Sequence, residues 1–141
     1  MKKSTLTLLA ALTLASGVAQ AETFQEVFNK HRAMYGKGHE FTYEGKTYQT
    51  YHPEEVEAMA EPSRDNAEAL VASAEAKRQD AAAVGYEWRF TGRILKQAQE
   101  ALAEERYQDA MDLAAQAKYQ ARMAIQQQAY AEENWHLAVP E

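Results

Sequence analysis

A mainly α-helical protein is predicted, built as a long antiparallel helical hairpin with an N-terminal appendage of one small helix and a β-hairpin. Three observations carry this reading. After Pro62 the chain is rich in alanine, glutamine and charged residues, and its apolar positions step by three and four, the spacing of one helix face. A short polar stretch, Ala103 to Ala110, interrupts that pattern and supplies a reversal. Before Pro62 the chain instead gathers most of its Gly and His and half of its Tyr, and the period switches toward that of strands.

In chain order, Met1 to Ala21 reads as a secretory signal. Lys2 and Lys3 form its charged start, Leu6 to Val18 its apolar run, and Ala19-Gln20-Ala21 its small-x-small cleavage site. The apolar run is too short to span a bilayer as a helix. A bacterial signal of this form predicts a periplasmic protein, cleaved after Ala21, with no membrane anchor. The expected units are therefore 1–21 as signal peptide, 22–61 as appendage and 62–141 as helical hairpin.

Within the appendage, Phe24, Val27, Phe28 and His31 recur at helical spacing and predict a short amphipathic helix ending near Gly36 or Gly38. Phe41 to Tyr43 and Lys46 to Tyr51 alternate as strands around Glu44-Gly45, which predicts a β-hairpin. His52-Pro53 stops it. Glu54, Glu55, Glu57 and Glu61 then read as the solvated face of a short helix.

Ser63 or Asp65 is the expected cap of the first long helix, with Glu68 completing a capping box on Asp65. Ala67, Leu70, Ala74, Ala81, Val84, Trp88, Leu95, Ala98 and Leu102 continue one seam, so this helix is expected to reach about Glu104 with a kink near Gly85 or Gly92. A second helix is expected from about Tyr107, with its seam on Ala110, Ala114, Ala117, Ala121, Ala124, Ala131 and Trp135. Small seams bury little area, so Leu70, Trp88, Leu95, Leu102, Tyr107 and Trp135 should dominate stability at about 1.5 to 3 kcal/mol each when buried.

The most specified stretch is Ala81 to Gly92, where Tyr86, Trp88 and Phe90 stand among small residues with a glycine near each end. Read as helix, it places Gly85 and Gly92 on a stripe that another backbone could approach closely. Its aromatics read either as packing anchors or as a docking surface, and nothing in it points to chemistry.

Composition narrows the function classes. Without the signal, 13 basic side chains face 21 acidic ones, a formal charge of −8, which weighs against nucleic acid and anionic membranes as partners. The chain has no cysteine, which removes disulfides, thiolate metal sites, thioether-linked haem and thiol catalysis together. No nucleophile elbow, glycine-rich phosphate loop or acid–base carboxylate pair is recognisable, so no enzyme activity, catalytic residue or cofactor is expected. His31, Met34 and His39 are the group that would hold copper or zinc if any did, with His52 and His136 as further imidazoles. Their spacing fits no metal motif, and no metal site is assigned.

The run from Ala74 to Gln128 resembles the SoxXA-binding protein family, small exported helical proteins associated with the cytochrome that starts bacterial thiosulfate oxidation. The resemblance centres on Val84-Gly85-Tyr86-Glu87-Trp88-Arg89, followed by Thr91-Gly92, and continues through Tyr107, Ala110, Leu113-Ala114, Ala117 and Gln120 to Met123. It implies a non-enzymatic accessory protein that binds a c-type cytochrome, SoxXA. Tyr86, Trp88, Arg89 and Phe90 are the candidate partner-binding residues, because aromatic and arginine side chains most often anchor interfaces. Two features depart from the family: members are often lipoproteins, and residues 22–61 have no counterpart in it. Two other readings stand beside this one: a metal carrier using the N-terminal His and Met, and an envelope protein whose hairpins self-associate into a homo-oligomeric bundle.

Overall fold

The computed structural model describes residues 21–137; the signal-peptide assignment, 1–21, lies outside that range in all but its last residue. The architecture is mainly helical with a two-stranded antiparallel hairpin. Helix α1 is Phe24–Tyr35, strands β1 and β2 are Glu40–Tyr43 and Lys46–Gln49, and α2 is Pro53–Glu57. Three long helices follow, α3 (Arg64–Ala83), α4 (Thr91–Ala103) and α5 (Tyr107–Asn134), with a final 3-10 turn at Trp135–Leu137. Among the described residues no helix is long and apolar enough to cross a membrane.

The hairpin of α4 and α5 is present, but the arm expected to run unbroken to Glu104 divides at Val84–Phe90. The cause is local. Gly85 takes φ +75, its N–H bonds the Ala82 carbonyl, and the Tyr86 N–H bonds the Ala81 carbonyl. This pair of bonds is the Schellman closure of a helix end. The same pair closes α4, where Glu105 at φ 60 bonds Leu102 and the Arg106 N–H bonds Ala101. The start of α3 is capped by Ser63, whose hydroxyl accepts from the Asn66 N–H, so Asp65 lies inside the helix rather than at its cap.

Two reversals give an up-down-up bundle. Arg64 at the start of α3 reaches Glu105 and the Tyr107 ring, while Ala81 near its end packs on Ala121 and Ala124. Helix α3 therefore runs alongside α5 in the same direction and packs directly on it, and α4 runs antiparallel to both. Ala67, Leu70, Val71 and Ala74 meet Leu95, Ala98 and Ala101 of α4 and Ala110, Met111, Ala114 and Ala117 of α5 in one core. The alanine seams of α3 and α5 are thus the bundle contact. Trp88 and Trp135, expected to anchor it, stay 37% and 66% exposed, and Leu95 and Met111 are the large side chains most completely enclosed.

The appendage has its own aromatic core. Phe24 and Phe28 of α1 lie against Phe41, and Phe24 also meets the Tyr43 and Tyr48 rings. Phe41 faces Tyr48 across the strands, so period-two alternation puts both on the α1 side. Thr50, wholly buried, accepts from the His39 N–H and donates to the Gly36 carbonyl, which closes the hairpin base onto the end of α1.

Docking onto the bundle runs through α2. Glu54, expected on a solvated face, is buried and receives two hydrogen bonds from Arg122 of α5, at 2.6 and 3.0 Å. Glu57 pairs with Lys118, and Gln108 donates to the Ala58 carbonyl. Helix α5 accordingly has two working faces, one turned to α3 and α4 and the other to the appendage.

Candidate functional site

The residues singled out in the sequence, Tyr86, Trp88, Arg89 and Phe90, come together on the connector between α3 and α4, and all four are exposed. They do not form a helical stripe. The Schellman closure throws the chain off the end of α3, and the segment regains helical form only at Thr91. Gly85 and Gly92 accordingly face no approaching backbone: a Cβ at Gly85 would meet nothing within 4 Å, and one at Gly92 only the Glu87 carboxylate at 3.6 Å.

Three contacts fix the connector despite its lack of regular structure. Glu87 accepts from Arg78 of α3 at 2.7 Å, and the same guanidinium makes two hydrogen bonds to Glu75. Those bonds raise the Arg78 pKa still further above its ordinary value. The Trp88 indole N–H donates to Gln127 of α5 at 3.2 Å. At the far end the buried Thr91 hydroxyl donates to Gln120 of α5.

What remains outward is a mixed aromatic and cationic surface. The Arg89 and Arg93 guanidiniums lie 5.6 and 4.5 Å from the Phe90 ring centroid. Neither arginine forms an ion pair among the described residues, although the chain as a whole is acidic. Stacking over an aromatic face leaves a guanidinium weakly hydrated with its donors free. Val84, Tyr86, Trp88 and Phe90 supply exposed apolar area beside these charges.

Trp88 belongs also to a second feature that the sequence did not reveal. A cleft of about 910 Å³ lies between the appendage and α5, with the Trp88 side chain in its wall. The appendage contributes Arg32, Lys37, Tyr51, His52 and Glu55, and α5 contributes a row beginning at Gln108. Arg32 holds Glu55 through two hydrogen bonds of 2.9 and 2.8 Å and also donates to the Thr50 carbonyl. Burial pushes the Glu55 carboxyl up, but the Arg32 hydrogen bonds, the His52 N–H and the Arg32 and His52 charges together hold it down, and the net shift is downward. His52 lies between Phe28 and Tyr119, its ring 4.4 Å from the Tyr119 centroid. Burial, together with the Arg32 and Arg122 charges, pushes that imidazole below its ordinary value.

His31 and His39 are brought together, but as a stack, with ring centroids 5.4 Å apart and Tyr35 and Phe41 continuing the pile. Met34 points away from burial at 55% exposure, and His136 lies at the far end of α5. Among the described residues no three His, Cys, Asp or Glu side chains converge as metal ligands. The chain matches no protein-family model, no curated protein and no solved structure.

Proposed function

We propose that the protein is a non-enzymatic accessory protein of the bacterial periplasm that binds a c-type cytochrome of the thiosulfate-oxidising system, SoxXA. The contact surface in this reading is the α3–α4 connector, with Tyr86, Trp88, Arg89 and Phe90 as its anchors. The partner's identity rests on the resemblance of Val84 to Arg89 and the following helices to the SoxXA-binding family.

One observation carries the surface: the connector opened by the Gly85 helix stop turns three large aromatics outward beside Arg89 and Arg93, which form no ion pair among the described residues. Interfaces draw most of their binding energy from such residues. The bond that Glu87 accepts from Arg78 and the one that Trp88 donates to Gln127 preorganise the segment, which lowers the ordering cost of association. The arginines suit an acidic rim on the partner and would speed encounter at low salt.

The test is capture of the tagged protein, without its signal, from periplasmic extract of its source grown on thiosulfate. The bound fraction is read for haem absorbance and by mass spectrometry. Recovery of the cytochrome supports the reading. Recovery without haem-containing protein, from cells that express the cytochrome, contradicts it.

A further inference from the structure

We propose that the cleft between the appendage and α5 is a binding site for a short neutral saccharide chain, a function beyond the partner surface on the connector, with which it shares Trp88. Its volume, about 910 Å³, lies in the range of small-molecule sites and exceeds what a single flat ring would fill.

Three features of the lining select the chemistry. First, the formal charges balance: Arg32 and Lys37 face Glu55 and Asp112, and Arg32 is already committed to Glu55 and the Thr50 carbonyl. An ionic ligand finds no net opposite charge. Second, α5 presents Gln108, Asp112, Gln116 and Gln120, each four residues from the last, so one polar row runs about 18 Å along the cleft at 1.5 Å per residue. Carboxamides both donate and accept, as hydroxyl groups do, and each step of about 6 Å is comparable to one sugar ring. Third, aromatic side chains line the same cleft: Trp88 at one end, Tyr51 on the appendage, and on α5 Tyr119, whose ring already packs against His52 and Arg122 and offers its hydroxyl. The apolar C–H face of a pyranose packs against the electron-rich face of such rings.

The hydrogen-bonding capacity is open. Among the described residues, the Gln116 carboxamide, the Lys37 ammonium and the Tyr51 and Tyr119 hydroxyls make no hydrogen bond within the chain, and Asp112 receives only Gln108. Small residues, Ala58 and Ala115, form the floor and leave depth above them. Tyr51 is held in place by Gly38, where a Cβ would come within 2.5 Å of the phenol oxygen.

The experiment uses Trp88 as the reporter. Trp135→Phe leaves Trp88 as the single tryptophan, since the chain has only two. Cellotriose, maltotriose and triacetylchitotriose are titrated into this protein while indole emission is followed. The expected result is a saturable change with at least one trisaccharide, with Kd of about 1 mM or tighter. The combined Asp112→Ala and Gln116→Ala change should weaken binding at least about tenfold, while circular dichroism stays unchanged because both positions are exposed on a helix that favours alanine. Absence of saturation with all three sugars overturns the proposal, as does undiminished affinity in the doubly substituted protein. Neither substitution touches the connector, so cytochrome capture by the same variant separates failure of this site from failure of the partner reading.

Discussion

The Trp88 indole N–H donates to the Gln127 carboxamide at 3.2 Å, and this bond ties an irregular connector to the last partnered turn of α5. Trp88 is therefore half a structural residue and half a surface one. Its ring is 37% exposed, sits in the wall of the cleft and borders the Arg89–Phe90 patch.

Trp88→Ala should leave the protein folded. The lost hydrogen bond and partial burial should cost about 2 kcal/mol, well below the total of a typical domain. Far-ultraviolet circular dichroism should be unchanged while cytochrome capture falls; loss of helicity would place Trp88 in the core instead.

The two connector glycines should respond oppositely to alanine. Gly85→Ala forces a Cβ into φ +75 and should cost about 1 kcal/mol. Gly92 lies within the first turn of α4, where a Cβ meets only the Glu87 carboxylate at ordinary contact distance, so Gly92→Ala should be neutral or stabilise by up to about 1 kcal/mol. Urea midpoints read both.

Arg122→Ala should be the most damaging single change in the appendage contact. It strands the Glu54 carboxylate, whose side chain is 4% exposed, and should cost about 3 kcal/mol. Adding Glu54→Leu should recover much of that loss, because the pair stabilises far less than either half alone destabilises. Thermal unfolding of the single and double variants checks this.

Acid should loosen the appendage in two stages. The His52 pKa is lowered by burial and by Arg32 and Arg122, so the unfolded chain binds the proton more readily. That contribution is complete above about pH 6.5 and is lost as pH falls through the lower folded value. Burial raises the Glu54 and Glu55 pKa values, but their arginine partners, backbone N–H bonds and the His52 charge together lower them, so both are depressed on balance. Their contribution is present above about pH 4.3 and is lost as pH falls through the folded values. His52→Phe should flatten the upper stage and leave the lower one, as read from urea midpoints across the range.

Much of the fold was legible in the sequence because its signals are local. The α1 periodicity, the Glu44-Gly45 reversal and the start of α5 at Tyr107 all stand where pattern and turn chemistry place them. The division of α3 from α4 was missed because the heptad steps run straight through Val84, Trp88 and Leu95. Gly85 followed by an apolar Tyr86 is a helix-stop signal, and a glycine read as a packing notch concealed it.

The residues of the proposed partner surface stand out in the sequence, but their exposure follows from that stop and not from helical periodicity. The cleft was not legible. It arises from the Glu54–Arg122 and Glu57–Lys118 pairs, which join residues more than sixty apart in the chain. No periodicity encodes such a contact, and the clustered glutamates read more simply as a wetted helix face.

The central claim, that the connector is the partner surface, is tested most directly by the affinity of the purified protein for the purified cytochrome, measured by surface plasmon resonance with the unchanged chain and Arg89→Glu. Arg89 is exposed and makes no ion pair among the described residues, so its reversal should spare the fold. The unchanged chain should bind, and the variant should bind at least about tenfold more weakly, a difference of about 1.4 kcal/mol. Equal affinity of the two proteins, or no binding by either, would contradict that claim.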